Sequence, residues 1–405
     1  MTRTDTGSRR IRPQSLRFTR VRLENWRNFR KAEVSVAARA FIVGPNASGK
    51  SNFLDALRFL RDIARADGGL ATALGQSGQP GRGGFKGVRC LFARTRSALV
   101  FDVDVGTDAE PALWSYRLVL QQQQSVKGKP VTVEEEVVRH RGEPLVNDRR
   151  PTKVPDWLLY SQTKLEQVQA NHGFRELAAF FASIRYLHVV PQIVRDPRRA
   201  VIQGDDPYGG DLLRRIKETP KKSQVPRLRR IADALKIAVP QFEGLELKDD
   251  SEGRPHLYAA FRHWRNYPTQ QTEEVLSDGT LRLIGLLWSL TETGGPLLLE
   301  EPELSLHDAV VQQLPAMITR AQRMSGRQMI ASTHSQVMLD APGIRLEESL
   351  RIIVGDNGST IETAAQNPMV REQVEHAGWT VGQAVLPLTQ PQDVTKLGQV
   401  RVASD

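Results

Sequence analysis

"VGPNASGKS", Val43 to Ser51, is the stretch on which the reading of this chain turns. It follows the apolar run "AFIV" (Ala40 to Val43) and opens a segment in which Phe53, Leu54, Leu57, Leu60 and Ile63 recur at helical spacing. Strand, glycine-bearing loop and helix, with Gly44 to Ser51 fitting G-x-x-x-x-G-K-[ST], form the context in which such a loop cradles phosphates. The glycines let the backbone approach an anion closely, and the helix that follows ends in roughly half a positive charge. Gly44, Pro45, Asn46, Ala47, Ser48, Gly49, Lys50, Ser51 and Asn52 are therefore the candidate nucleotide-binding residues. Lys50 is expected to reach the β and γ phosphates, and the Ser51 hydroxyl to ligate magnesium.

Three later stretches add chemistry. "PLLLEEPELSLH" (Pro296 to His307) brings Glu300 and Glu301 to the C-terminal end of an apolar strand, where open α/β sheets hold ligands. Neighbouring side chains on a strand point opposite ways, so the two carboxylates divide the work. Glu300 is the candidate for the magnesium shell, and Glu301 for orienting and deprotonating a water that attacks the γ phosphate. Taken alone, such a pair at a strand end reads as a solvated turn. "MIASTHS" ends a strand at Ser332, Thr333 and His334, and His334 is either a structural hydrogen-bonder or a γ-phosphate contact. "VLSDGTLRLIG" (Val275 to Gly285) sets Ser277, Asp278, Gly279 and Thr280 at the mouth of an apolar helix; by itself it reads as an N-cap.

Bulk properties bound the class. With 405 residues, 40% hydrophobic and 25% charged, the chain has material for a sizeable core and two or three units. The only cysteine, Cys90, allows neither an internal disulfide nor a cysteine zinc cluster, which suits a reducing cytosol. The start "MTRTDTGSRRIRPQ" has no apolar h-region, and no run approaches the roughly 18 residues of a membrane span, so a soluble cytoplasmic protein without a membrane partner is expected. The net charge of +10 is the footprint of a protein that meets polyanions or carries a basic surface and tail.

Periodicity predicts an order of units. Residues 1–15 read as a disordered basic leader, 16–95 as the first half of a nucleotide-binding core, and 96–150 as an inserted antiparallel β subdomain. Residues 151–274 read as a basic helical lobe, 275–355 as the second half of the core, and 356–405 as a C-terminal tail region. Within this scheme Gly75 to Gly87 is a loop, "KLEQVQANHGFRELAAFFASI" a helix, and "RYLHVVPQ" a buried strand ended by Pro191. Arginines of the lobe face outwards if Leu212, Leu213, Ile216, Leu228, Ile231 and Leu235 face in.

P-loop, "LSDGT", "EEPE" and "STHS" in this order resemble the ABC-type ATPases of the SMC and RecF-like branch. They look closest to the stand-alone AAA_21 ATPases, some of which belong to prokaryotic repair or phage-defence operons. The resemblance covers roughly residues 16 to 345. It implies an α/β P-loop NTPase fold with a mixed central sheet, an inserted antiparallel β arm and a helical signature lobe. It further implies ATP and Mg2+ as cofactors, and a homodimer or higher oligomer built on composite sites. Ser277 to Thr280 then form the signature that binds the γ phosphate held by a second subunit's P-loop. "LSLH", Leu304 to His307, takes the D-loop position, and His334 is the switch histidine. Arg27 and Asn28 in "NWRNF" match the place where relatives touch nucleotide, or are a surface turn. Gln192 is the candidate Q-loop glutamine and metal ligand, with Gln76 and Gln79 as alternatives. Two departures stand out: Glu300 replaces the Asp of many relatives, and His307 replaces the D-loop Asp.

The stretch between Ser51 and Ser277 carries no heptads, which excludes a long coiled-coil arm, and it is longer than transporter motors have. Two functions follow. One is an ATP-hydrolysing dimer that couples closure to DNA engagement through the region around Arg195 to Arg230, in repair or surveillance. The other is a regulatory ATPase that restrains or licenses an operon-encoded nuclease or toxin in antiviral defence. The 71 residues after His334 are too few for the nuclease domain carried by the overcoming-lysogenization relatives.

Overall fold

The computed structural model describes residues 16–75, 81–93, 97–124, 126–151, 156–196, 205–263, 268–390 and 396. The expected leader and the alternatives Gln76 and Gln79 lie outside them. The chain begins with the hairpin β1 (Arg17–Trp26) and β2 (Phe29–Ser35), then β3 (Arg39–Val43) and the helix Lys50–Ala64. Next come β4 (Leu99–Gly106), β5 (Trp114–Gln122), β6 (Val131–His140) and β7 (Glu143–Arg149), then the short β8 (Arg185–Leu187). The lobe holds β9 (Phe242–Asp249), β10 (Pro255–Phe261) and β11 (Thr269–Thr272). The helix Asp278–Thr291, β12 (Leu297–Glu300), β13 (Met329–Ser332), β14 (Ser349–Gly355) and β15 (Gly358–Thr363) complete the core.

The central sheet runs β15-β14-β3-β13-β12-β8, parallel except for β15, which pairs antiparallel with β14. It is apolar on both faces, as a parallel sheet covered on both sides must be. Ala40 and Ile42 join one hydrophobic cluster, and Phe41 and Val43 the other; Leu298 and the pair Leu297 and Leu299 divide the same way. The first cluster is closed by the helix Lys50–Ala64, itself roofed by the antiparallel sheet β2-β1-β4-β5-β6-β7. That sheet turns Val21, Leu23, Phe101 and Tyr116 inwards. Its outer face carries a charge ladder: Arg20 to Asp102, Asp102 to Arg117, Arg117 to Glu135 and Glu135 to Arg149.

The expected β insert is present but is no separate arm. β4 pairs with β1 along Leu23↔Phe101, so a boundary at 95/96 runs through one sheet. A boundary at 355/356 likewise falls inside the β14–β15 hairpin, and Val370, Val381, Ala384 and Val385 further on are core residues. Cys90 is fully buried. The longest helix among the described residues, Lys221–Ala238, has 18 residues, so no long coiled coil is present there. No helix among them is long and apolar enough to cross a membrane.

Local expectations differ at four places, each for a physical reason. Gly84–Val88 is a short helix inside the expected loop. Of "KLEQVQANHGFRELAAFFASI" only Arg175–Ala182 is α-helical. The Asn171 side chain donates to the Leu165 carbonyl, an acceptor that a continuous helix would use for its own backbone, and the residues before Arg175 form turns. Pro191 starts the turn of helix Pro191–Val194, at the first position where a missing N–H costs nothing. The lobe leucines and isoleucines are buried as expected, but its arginines are not all outward: Arg215 reaches Asp211 and Glu292 inside the lobe.

Candidate functional site

Four adjacent parallel strands, β3, β13, β12 and β8, end at one edge, and the chain leaves three of them through Gly44, Thr333 and Glu301. Register does the positioning: Glu300 lies opposite Ser332, and Ser332 opposite Ile42.

After β3 the loop tightens through Ser48 N–H to the Pro45 carbonyl (3.2 Å), with Ala47 at φ +60°. Gly49 caps the helix at φ +115° and provides no side-chain acceptor, leaving first-turn N–H groups to an anion. A Cβ at Gly49 would collide with the Asn28 amide, and one at Gly44 would sit 2.7 Å from Ser48 Oγ. Both positions therefore need glycine. Lys50 Nζ lies within the loop, donating to the Gly44 and Pro45 carbonyls at 3.1 Å each. Burial lowers its pKa, and Glu301, Glu300 and Glu303 pull it back up.

The two carboxylates separate, as expected, though by a different device. Glu300 continues the alternation of β12 onto the face of Leu298 and accepts the Ser51 hydroxyl. Burial raises its pKa. Glu301 is past the strand in the left-handed region, φ +44°, with its N–H on the Ser332 carbonyl at 3.1 Å. Its carboxylate meets His334 Nε2 at 3.2 Å, and that contact holds its pKa below the usual range. The hard oxygen pair of Ser51 and Glu300 in direct contact is a donor set that fits magnesium.

Ser277 caps the helix Asp278–Thr291, its Oγ 2.8 Å from Thr280 Oγ1 and 3.3 Å from Thr280 N. Asp278 is held by Arg195 (2.6 Å) and Gln192 (3.4 Å), so Gln192 stands beside the signature turn. A Cβ at Gly279 would lie 2.5 Å from the Ser305 carbonyl, so glycine admits the Ser305 backbone. His307 caps the short helix Asp308–Val311 through its Nδ1.

Arg27 and Asn28 serve the loop from behind. Arg27 pairs with Asp55 on the helix after the P-loop at 2.7 Å. Asn28 donates to the Ser48 carbonyl and accepts from Asn52 at 2.8 Å. Sequence reasoning missed Ser359, which donates to the same Ser48 carbonyl at 2.7 Å from β15. It also missed His188, 3.3 Å from the Glu300 carbonyl, whose only signal was a polar residue in a buried strand.

A lysine-bearing phosphate loop and a pair of carboxylates at one edge of a parallel sheet define a P-loop NTPase. The chain belongs to the AAA_21 family, described as "AAA domain, putative AbiEii toxin, Type IV TA system", which matches residues 39–340. That is the family its four motifs resemble. No curated protein matches. Among solved structures it is similar to the SMC head domain from Thermotoga maritima, at 15% identity over 86% of this chain and 98% of that one, TM-score 0.44. It is also similar to an SMC head bound to the C-winged helix domain of ScpA, at 15% identity, 85% and 97% coverage, TM-score 0.45. A third is an Smc head with an extended coiled coil bound to the C-terminal domain of ScpA derived from Pyrococcus furiosus, at 12% identity, 89% and 100% coverage, TM-score 0.49.

Proposed function

We propose that this chain binds ATP with magnesium at the sheet edge, hydrolyses it, and works as a pair. Ser277 to Thr280 of one copy then face the phosphates held by the P-loop of the other. One observation carries the reading: Ser51 touches Glu300 while His334 touches Glu301, beside the Lys50 loop, on neighbouring strand ends. Lys50 and the helix N-terminus neutralise the phosphates. Ser51 and Glu300 are the residues to hold magnesium, which when bound withdraws charge from the β and γ phosphoryl oxygens. Glu301, kept ionised by His334, orients the attacking water and accepts its proton.

For DNA engagement the lobe supplies a narrower face than the stretch Arg195 to Arg230. Arg195, Arg214 and Arg215 are tied to Asp278, Glu218 and Glu292. Lys222, Arg229, Arg230 and Lys236 remain exposed on the helix Lys221–Ala238. The second reading is a regulatory ATPase acting on a separately encoded nuclease or toxin. Scattering mass with a non-hydrolysable ATP analogue is expected to double, and an unchanged mass refutes the pair. Duplex DNA retained at low salt and released as salt rises supports DNA engagement. A nucleotide-dependent pair that retains no DNA leaves the regulatory reading.

A further inference from the structure

Glu303, the last carboxylate of "EEPE", has no part in the roles above, yet it is the group on which the switch strand ends. Its Oε1 accepts two hydrogen bonds, from Thr333 Oγ1 at 2.5 Å and from the His334 N–H at 3.0 Å. Its Oε2 is enclosed with no hydrogen-bond partner. Thr333 is fully buried, its N–H on the Ile42 carbonyl of β3 at 3.0 Å and its Oγ1 accepting from Ser335 N at 3.0 Å. The turn carrying His334 is thus fixed from β3 on one side and from Glu303 on the other.

The imidazole then returns to Glu301 at 3.2 Å, and Glu301 is separated from Glu303 only by Pro302. Proline locks one backbone angle between the two carboxylates, and the left-handed turn at Glu301 fixes their relative directions. The chain closes a ring: Glu301, Pro302, Glu303, the His334 backbone, the His334 ring and Glu301 again. An enclosed carboxylate with a free oxygen is a costly way to hold a surface turn, and apolar packing would hold it as well. The ring supplies the geometric reason for an acceptor at this place: the bonds from Thr333 Oγ1 and the His334 N–H aim the histidine.

We propose that Glu303 is a positioning residue for turnover: it fixes Thr333 and the His334 backbone, and through them the imidazole that holds the Glu301 carboxylate. The assignment rests on the reading of Glu301 and His334 as parts of a hydrolytic site. Misplacing a reacting group by about 1 Å costs on the order of 10²-fold in rate, so the effect falls on kcat and leaves nucleotide affinity in place.

The test uses the full chain and a double-mutant cycle. Phosphate release and affinity for a fluorescent ATP analogue are measured for Glu303→Ala, Glu303→Gln, His334→Ala and the double variant Glu303→Ala with His334→Ala. Glu303→Ala is expected to lower kcat by about tenfold to a hundredfold with little change in affinity. Glu303→Gln, which keeps an acceptor at Oε1, recovers most of that loss. The double variant is expected to be no slower than His334→Ala alone, because Glu303 acts through that ring. Multiplied losses in the double variant, with His334→Ala slow, overturn the role of Glu303 and leave the site reading standing. His334→Ala turning over at the wild-type rate removes the site reading itself. If Glu303→Ala does not fold, the same cycle is run with Glu303→Asp, whose shorter side chain draws the acceptor away from Thr333 and the His334 N–H, and multiplied losses with His334→Ala overturn the proposal.

Discussion

The sheet edge and the signature lobe are built on opposite plans. At the edge each group leans on another of its own set: Ser51 on Glu300, His334 on Glu301, Lys50 on the loop carbonyls. On the lobe, Ser277 is exposed with its side chain bonded to Thr280, Asp278 is held by Gln192 and Arg195, and Gly279 lies on the Ser305 backbone. The edge is a set of groups already in mutual contact. On the lobe, nothing in the edge of the same chain hydrogen-bonds to the Ser277–Thr280 turn among the described residues. Under the proposed function the difference assigns two separable properties, chemistry to the edge and pairing to the lobe.

Four experiments break or sharpen that division. Glu301→Gln should lower turnover on the order of 10³-fold while nucleotide still binds, and should accumulate the paired form on size exclusion. A wild-type rate would remove the edge as the seat of chemistry. Ser277→Arg should reduce turnover on the order of 10²-fold by preventing pairing, with binding to the single chain unaltered. If pairing survives, the lobe is not the completing surface. Asn28→Ala strips one of the two clamps on the Ser48 carbonyl and should weaken nucleotide affinity about fivefold, the worth of roughly 1 kcal/mol, by fluorescent-analogue titration. An effect as large as that of Ser277→Arg would mean that the edge is less self-supporting than its contacts suggest.

The smallest effect on turnover is expected from Glu136, in the antiparallel sheet, and it calibrates the others. Burial pushes its carboxyl up to about 7, against the donors Lys164 N, Tyr116 OH and Leu165 N. A carboxyl whose pKa is raised on folding holds its proton better in the folded state. Its stability contribution is therefore full below about pH 4.5 and is lost as pH rises to about 7. Denaturation at the two ends of that window should differ on the order of 3 kcal/mol from this group, and Glu136→Gln should remove its share without altering turnover. A Glu301 or Ser277 variant that changes this slope has disturbed the fold and is no longer a test of the edge or the lobe.

What the sequence made legible was local. The P-loop, the carboxylate strand and the Ser277 cap each depend on fewer than a dozen consecutive residues, and each sits where periodicity placed it. What it hid depends on partners distant in sequence. Ser359 meets Ser48 across 311 positions, so "GST" after a turn carries no sign of a clamp. Glu136 holds the backbone N–H groups of Lys164 and Leu165 from a strand 28 and 29 positions away. Arg215 looked like surface charge because its partner Glu292 lies 77 positions on. Glu303 was in view inside "EEPE", but only the return of Thr333 and His334 to its oxygen distinguishes it from a turn residue.

The buried thiol of Cys90 has a practical consequence for the lobe. It is the only sulfhydryl in the sequence, and enclosed structural cysteines are chemically inert. A maleimide dye will therefore find a blank background, and Val275→Cys, at a position 66% exposed beside the signature turn, becomes a single-address label. Energy transfer between two labelled copies can then test the proposed pairing without removing any native reactive group first.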